Sequence, residues 1–266
     1  MIYQPTQVYF ILLLGVLSCI KSVKNQKMAH GVTILENKDI VIEDLCKIIE
    51  KTAQESIEKH GTFSVGLSGG SLVSFLVTGL PKVKSDFTKW KLFFCDERLV
   101  PVDDPESTFG VYKRQLVDTK AVNITADQFV ILKQGVSADE AAKDYEEQIK
   151  NLVPLNPLPQ FDLLLLGMGP DGHTCSLFPG HKLVQETNRW VAPITDSPKP
   201  PPSRITLTFP VLNNARVCVF AIAGKEKAEM AKRIHVNKEK LPAGLVQPTN
   251  GQVYWLVDKD AGSLLD

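Results

Sequence analysis

Apolar runs that read as buried strands alternate along the chain with segments of helical spacing. Runs such as residues 62–67 (TFSVGL) and 161–167 (FDLLLLG) are almost continuously hydrophobic. Before the first of these runs, residues 39–59 place apolar side chains three and four positions apart, as an amphipathic helix does. Strands that are apolar on both faces and alternate with helices are typical of a covered parallel sheet. The pattern predicts an α/β fold: one open, mostly parallel sheet with helices on both faces.

The other elements are predicted by the same rules of spacing and capping. Further strands are predicted at GVTILE, KWKLFFC, FVIL, RITLTFPVL, RVCVFAIAG and QVYWLVD. Further helices are predicted at SLVSFLVTGL, STFGVYKRQLV, SADEAAKDYEEQIKNL and KEKAEMAKRI. Ser137 and Glu140 have the spacing of a capping box, and Gly61 suits the left-handed residue that ends a helix.

Composition narrows the class of protein. The chain has 266 residues, 44% hydrophobic and 23% charged, with a formal net charge of zero. That length can bury a full core, and the balanced charge gives no reason to expect a nucleic-acid partner. The five cysteines are scattered and include no C-x-x-C pair, which argues against disulfides and a zinc site. No metal is expected, and a reducing compartment is favoured.

An uncharged apolar run at residues 8–20 stands apart from this pattern. It is short for a membrane span, and no Lys or Arg precedes it as in a typical signal peptide. A weak secretory signal, a short anchor and an extension absent from the working protein all remain open. We favour the third interpretation, with residues 1–27 as the extension and 28–266 as a single cytoplasmic domain. A signal function would instead direct the chain to the secretory pathway or the endoplasmic reticulum.

Ligands bind beyond the carboxyl ends of parallel strands, so the residues that follow each strand are the first candidates for a site. Gly69, Gly70 and Ser71 follow a buried strand and precede a helix. Two glycines and a helix N-terminus can present backbone N–H groups to an anion. A tight turn with a Ser cap would explain the same residues.

Charged residues follow other predicted strands. Arg98 would grip an anionic substrate, while Asp96 would face the ligand or orient a neighbour. Lys225 begins a predicted helix, where a cation opposes the helix dipole unless an anion binds nearby. Arg204 enters its strand from a proline-rich loop and is a similar candidate. Ordinary surface charges remain the alternative for these positions.

The leucine-rich strand ends in a glycine-rich turn that carries Asp171 and His173. A histidine with a carboxylate partner can act as a general base near neutral pH, because the acid fixes its tautomer. The alternative is a turn aspartate beside a histidine that is satisfied by the backbone.

Two short motifs in these turns match other classes of enzyme. Residues 167–172 fit the dinucleotide fingerprint G-x-G-x-x-G, but Pro170 lacks the N–H that would face a pyrophosphate. Residues 66–70 fit the nucleophile elbow of α/β-hydrolases, with Ser68 as nucleophile and His173 as its base. No HGGG-type oxyanion loop precedes this elbow, which argues against a serine hydrolase. This class is kept as an alternative.

Several motifs together resemble the 6-phosphogluconolactonases of the glucosamine/galactosamine-6-phosphate isomerase superfamily. They occur in the order LSGGS, FFCDERLVP, STFGVY, LLGMGPDGHTCSLFPGH, PPPSRITLTFPVLN and IAGKEKA. The resemblance covers residues 30–258 and implies a Rossmann-like sheet shared with the glucosamine-6-phosphate deaminases. It implies hydrolysis of 6-phospho-D-glucono-1,5-lactone in the oxidative pentose phosphate pathway, without a metal or organic cofactor. The SLFPG segment resembles the lactonase form, which leaves a deaminase as the lesser alternative.

Under this resemblance the candidate residues acquire roles in lactone hydrolysis. His173 is expected to activate water, and Asp171 to orient the imidazole or its loop. The residues expected to bind the substrate are Gly69, Gly70, Ser71, Asp96, Arg98, Arg204 and Lys225. Which of the three cations contacts the phosphate and which stabilises the oxyanion is left open. The expected partner is the small phosphosugar lactone, with no nucleic acid and no stable membrane association. A sugar-phosphate sensor on the same fold would not need His173.

Overall fold

The main sheet confirms the predicted fold class. The computed structural model describes residues 27–29 and 31–265. Its strands are β1 (Lys27–Ala29), β2 (Val32–Leu35), β3 (Phe63–Leu67), β4 (Trp90–Phe94), β5 (Asp96–Arg98), β6 (Leu163–Leu166), β7 (Val191–Ile194), β8 (Arg204–Leu207), β9 (Val217–Ile222) and β10 (Gln252–Asp258). Within the described residues, seven of them form a sheet in the order β1-β2-β10-β9-β6-β3-β4. All neighbours in this sheet are parallel except β1, which is antiparallel to β2 at one edge.

Helices cover both faces of the sheet. They are α1 (Lys38–His60), α2 (Ser71–Gly79), α3 (Thr108–Tyr112), α4 (Ala138–Leu152), α5 (Phe209–Leu212) and α6 (Ala228–His235). One core cluster joins α1, α2 and α3 to the sheet, and a second cluster joins α4 and α6 to its other face. In β6, Leu163 and Leu165 point into the first cluster, whereas Leu164 and Leu166 point into the second. The leucine run is continuous because neither face of this strand meets water.

The predicted helix caps are confirmed at both helices where the sequence carried the signals. Gly61 ends α1 with a φ of 82°, and its N–H donates to the carbonyl of Ile57. At the start of α4, the Ser137 hydroxyl accepts from the N–H of Glu140, whose carboxylate accepts from Ser137 in return. These local bonds satisfy backbone groups that a helix end leaves unpaired.

Two strand predictions were wrong in extent. Residues 129–132 (FVIL) make one bridge, from Phe129 to Leu92, and one hydrogen bond from the Val130 N–H to the Leu92 carbonyl. The segment then leaves the edge of the sheet, and Ile131 is exposed. The run RITLTFPVL is a strand only over β8, because Pro210 lies in the first turn of α5 and has no N–H to donate to a ladder.

A small antiparallel sheet was not predicted from the sequence. Within the described chain it has the order β5-β8-β7, and it begins directly after β4. Its register places Asp96 opposite Thr206 and Arg98 opposite Arg204. Two arginines directly across a ladder repel each other unless anions lie nearby. The small sheet therefore brings two arginines together beside two carboxylates at the carboxyl end of β4.

The strand order creates a switch point at β3. The chain continues from β3 to β4 on one side, while β6 pairs with β3 on the other side. The turns after β4, β3, β6 and β9 therefore follow neighbouring strands along one edge. Open α/β sheets bind ligands in the crevice that such a reversal leaves.

The predicted N-terminal extension lies outside the described residues, except for Lys27 at the start of β1. Among the residues that the structure covers, no helix is both long enough and apolar enough to cross a bilayer.

A buried carboxylate joins elements at the amino end of the sheet, away from this crevice. Asp162 is 1% exposed, and its Oδ2 accepts from the N–H and hydroxyl of Ser64 at 2.9 and 2.8 Å. Its Oδ1 lies 3.0 Å from His60 Nε2 and 3.5 Å from Arg216 Nε. One side chain thus connects the end of α1 to the starts of β3, β6 and β9.

We expect Asp162→Ala to lower the free energy of unfolding by roughly 3 kcal/mol, since buried donors lose their acceptor. The matched control is Asp118→Ala, which removes a surface ion pair with Lys113 and should cost at most about 1 kcal/mol. Urea denaturation followed by circular dichroism measures both variants. Equal stability of the two would contradict a structural role for Asp162.

Candidate active site

The turn after β6 is shaped around two glycines. Gly172 has a φ of 82°, and its N–H donates to the carbonyl of Gly169 at 3.0 Å. The N–H of Gly169 in turn donates to the carbonyl of His173 at 2.9 Å. A Cβ atom at position 169 would overlap the imidazole of His173 and lie 2.8 Å from Asp171 Oδ1. Glycine is therefore the residue that lets both side chains fold back over their own turn.

Asp171 binds the imidazole of His173 through one nitrogen. The distance between His173 Nδ1 and Asp171 Oδ1 is 2.5 Å, and the ring packs against Phe178 with centroids 4.7 Å apart. An ionised carboxylate only accepts hydrogen bonds, so this contact favours the proton on Nδ1. The other nitrogen, Nε2, is then left with a lone pair that can accept a proton from water.

The surroundings favour the neutral imidazole. Burial lowers the pKa of His173 from its ordinary value of 6.5, and the nearby Lys199 lowers it further. The hydrogen bond and charge of Asp171 act in the opposite direction but do not compensate. For Asp171, burial acts to raise the pKa, but His173 and Lys199 outweigh it and leave the pKa below its usual value. At neutral pH the pair is a neutral base next to an ionised carboxylate.

A cavity of about 190 Å³ opens beside this pair. It lies at the carboxyl ends of β3, β4, β6 and β9. His173 contributes to its wall, together with Gly69, Gly70 and Ser71 from the turn after β3. The small sheet contributes Asp96, Arg98 and Arg204. The structure thus brings most of the sequence-predicted site residues to one concave surface.

Asp171 and Lys225 do not line the cavity. Asp171 stands behind the imidazole as its partner. Lys225 is exposed, because it begins a 3₁₀ turn that precedes α6 rather than the helix itself. The lysine that reaches the cavity is Lys227, whose Nζ donates to the carbonyl of Met168 at 3.1 Å. The expected substrate contact of Lys225 stays a prediction, and the structure places Lys227 rather than Lys225 at the cavity wall.

The turn after β3 has a glycine-rich backbone that leads directly into a helix N-terminus. Gly70 has φ 68° and ψ −140°, a conformation that is essentially restricted to glycine. No side chain of the described residues caps α2 at this end. The Val73 N–H donates to the carbonyl of Gly70 at 3.2 Å, and the N–H groups of Ser71 and Leu72 ahead of it can face an anion. A Cβ at Gly69 would contact the side chain of Thr108 at 3.4 Å.

The arginines of the small sheet are held in different ways. Arg98 donates through Nη1 to the carbonyl of Glu106 at 2.8 Å and to its carboxylate at 3.2 Å. Arg204 is buried, and its Nη1 lies 3.9 Å from Asp96 Oδ2. Burial lowers the pKa of Arg204; Asp96 raises it, and Arg98 lowers it. Asp96 thus balances the charge of one arginine and accepts a hydrogen bond from Ser176 at 2.8 Å.

Glu97 is a further residue whose role in the site was not predicted. Its buried carboxylate accepts the N–H groups of Arg98, Thr108 and Phe109 at 2.7 to 2.9 Å. Burial raises the pKa of Glu97, although these bonds act to lower it. The carboxylate fixes the backbone of β5 against the start of α3, so the Cα of Arg98 has a defined position. Its place between Asp96 and Arg98 is the only sequence signal for this role.

Ser68 lacks the partners of a nucleophile. Its Oγ is buried and makes no hydrogen bond to any residue that the structure describes. The backbone carbonyl of Ser68 accepts from the hydroxyl of Tyr112 at 2.9 Å, which fixes the turn rather than the side chain. The serine-hydrolase alternative needs a Ser–His contact that this geometry does not provide.

The described part of the chain shows no group of side chains suited to bind a metal ion. No cluster of three or more His, Cys, Asp or Glu side chains there is arranged to hold an ion.

The fold and site define an α/β protein with a histidine–carboxylate pair beside a cationic, glycine-lined crevice. Residues 36–255 match the family described as glucosamine-6-phosphate isomerases/6-phosphogluconolactonase. The 6-phosphogluconolactonase of Rattus norvegicus is 46% identical over 83% of this chain and 88% of its own. The Homo sapiens enzyme is 48% identical over 76% of this chain and 81% of its own. The structure of 6-phosphogluconolactonase from Thermotoga maritima matches with a TM-score of 0.74 and 28% identity, covering 86% of this chain and 99% of that one.

The chain therefore belongs to this family, on its 6-phosphogluconolactonase side. It is by class a carboxylic-ester hydrolase.

We expect Gly169→Ala to lower kcat by roughly 10²-fold, because the added methyl group displaces the imidazole and misplacement of about 1 Å has that cost. The matched variant is Gly167→Ala in the same turn, where a Cβ meets no atom within 4 Å. It should lose much less activity. Steady-state kinetics on both variants, after circular dichroism has verified their folding, is the measurement. Similar losses in the two would show that the packing at position 169 is not the cause.

Proposed function

We propose that this protein hydrolyses 6-phospho-D-glucono-1,5-lactone to 6-phosphogluconate in the oxidative pentose phosphate pathway. The names of its relatives support the reaction. The observation that carries the mechanism is the His173–Asp171 pair, with Nδ1 engaged and Nε2 left to act at a cavity that contains cationic side chains.

Hydrolysis of a δ-lactone needs a base, a water molecule and stabilisation of an oxyanion. In our proposal, His173 Nε2 takes a proton from water as the water oxygen bonds to C1 of the lactone. The carbonyl oxygen then carries a negative charge in a tetrahedral intermediate. When the C1–ring oxygen bond breaks, the imidazolium returns its proton to the ring oxygen. The new carboxylic acid loses its proton to solvent, so the enzyme ends the cycle unchanged.

The rest of the cavity supplies charge and position. The turn of Gly69, Gly70 and Ser71 offers backbone N–H groups, and the cations Arg98, Arg204 and Lys227 surround the same space. We assign the phosphoryl group of the substrate to the turn, because a helix N-terminus with unpaired N–H groups suits a phosphate. Binding energy from this remote group can hold the lactone carbonyl against the water. The cations then share the phosphate and the oxyanion between them.

We also infer a cytoplasmic location. Cys46, Cys95, Cys175 and Cys218 are free and buried. Free thiols suit a reducing compartment, and the described part of the chain has no disulfide that would need an oxidising one.

We expect His173→Ala to lower kcat by about 10²–10⁴-fold, which is the usual contribution of a positioned base. The matched control is His181→Ala, since His181 also pairs with a carboxylate, Asp196 Oδ1 at 3.1 Å, but does not line the cavity. Acid release from freshly prepared 6-phosphogluconolactone is the measurement, corrected for spontaneous hydrolysis. Glucosamine-6-phosphate serves as the second substrate and should not be consumed. Full turnover by the His173 variant would rule out this histidine as the base.

The anion turn is tested by Gly70→Ala, which places a side chain where the backbone requires glycine. We expect the ratio of kcat/KM for the phosphorylated lactone to that for plain gluconolactone to fall roughly tenfold or more. Gly180→Ala is the matched control: Gly180 has a similar φ of 75° and open space, but it lies outside the cavity. Its ratio should stay at the wild-type value. An unchanged ratio in the Gly70 variant would indicate that the phosphate group binds elsewhere in the protein.

A further inference from the structure

Lys199 contacts both members of the histidine–carboxylate pair. Its Nζ lies 3.3 Å from Asp171 Oδ1 and 3.2 Å from His173 Nδ1. Building on the proposed function, we propose that Lys199 is a positioning residue that fixes Asp171 and keeps the imidazole unprotonated until it meets water. Lys199 acts through His173 and makes no contact with the reacting atoms in this assignment.

The loop that carries Lys199 is held rigidly. The Ser197 hydroxyl donates to the Lys199 carbonyl at 2.8 Å and accepts from the Lys199 N–H at 3.3 Å. Arg204 donates through Nε to the carbonyl of Pro201, and through Nη2 to the carbonyls of Lys199 and Pro200, at 2.9 to 3.0 Å. A buried guanidinium that binds three successive carbonyls fixes the backbone from which the lysine extends.

This clamp belongs to the same network as the cavity wall. Arg204 Nη1 faces Asp96 Oδ2, and the Ser176 hydroxyl bridges toward both groups. The guanidinium carbon of Arg204 lies 5.9 Å from the ring centre of Phe178, on which the His173 ring also packs. The position of Lys199 relative to the imidazole is therefore set by buried contacts rather than by a free surface loop.

Three charged groups and burial determine the electrostatic environment of the imidazole. Asp171 and the more distant Asp96 favour its protonated form, whereas burial and the ammonium group of Lys199 oppose it. Lys199 also contacts the oxygen of Asp171 that faces the ring, so it competes with the imidazole for that charge. A base in this setting accepts a proton from water only as the C1–oxygen bond forms. It then readily returns the proton to the ring oxygen of the lactone.

The test is an NMR titration of His173, which reads the imidazole directly and does not need substrate. The chain has five histidines, and the signal missing from the His173→Ala spectrum identifies the resonance. We expect Lys199→Met to raise the pKa of His173, and Lys199→Arg to restore it toward the wild-type value. Asp171→Asn should shift it in the opposite direction. Lys182→Met, which removes an exposed lysine outside the cavity, is the charge control and should leave the titration unchanged.

Kinetics should follow the titration. A base works only when unprotonated, so kcat/KM falls as the pH drops through the pKa of His173. We expect the acid limb of the wild-type profile below pH 6.5. This acid limb should move to higher pH in Lys199→Met. The kcat/KM of the variant should therefore fall further below the wild-type value as the pH is lowered.

Arg204→Lys tests the clamp. A lysine keeps the charge but cannot bind three carbonyls at once. Adding Lys199→Met to this variant should shift the His173 titration less than it does in the wild-type background, because coupled groups are not additive.

An unchanged or lowered His173 pKa in a folded Lys199→Met variant would overturn the inference. A higher KM with an unchanged titration would also overturn it, because Lys199 would then be a substrate contact. If the methionine variant does not fold, Lys199→Gln is titrated in its place. Failure of the wild-type protein to hydrolyse the lactone would refute the proposed function instead, and the titration would still decide the role of Lys199.

Discussion

The packing of the His173 imidazole onto the bare backbone of Gly169 is the contact on which the site depends. It lets a side chain two residues beyond Asp171 fold back until Nδ1 and Oδ1 meet. The turn can hold this shape because β6 ends inside a sheet whose two faces are both covered. A rigid strand, a turn without side-chain bulk and a short charged contact together define where a proton can be accepted.

Around this contact the protein buries several charged side chains. Asp96 and Arg204 are buried together, and Glu97 is buried among backbone N–H groups. Burying ions costs free energy that their attraction only partly returns, so such groups are weak evidence for stability. Their common effect is to hold Arg98, Arg204 and the turn of Lys199 in defined positions. In the proposed mechanism, preorganised charge of this kind would stabilise the developing oxyanion without reorganisation during the reaction.

Much of the fold was predictable because its signals are local. The covered sheet follows from strands such as β6, and the cap signals at Gly61 and Ser137 lie within a few residues of the helices they bound. The small sheet was not predictable, because β5 has three residues, two of them acidic, and β7 contains Pro193. Such segments become strands only through hydrogen bonds to β8, which lies far from β5 in the sequence and is separated from β7 by the proline-rich loop. The local β-propensity of these segments does not indicate which strands they will pair with.

Prediction of the candidate site from local sequence signals meets the same limit. Asp171, His173 and the glycine turn could be predicted because each follows a recognisable strand, and strand ends converge in any parallel sheet. Lys199 follows no such rule: its loop reads as a proline-rich surface segment, and a buried arginine gives its side chain a direction. Lys225 and Lys227 differ by two positions in one turn, which is enough to move a side chain from solvent to the cavity wall. A residue that acts at a strand end can be inferred from pattern, whereas one that acts across the crevice depends on three-dimensional contacts.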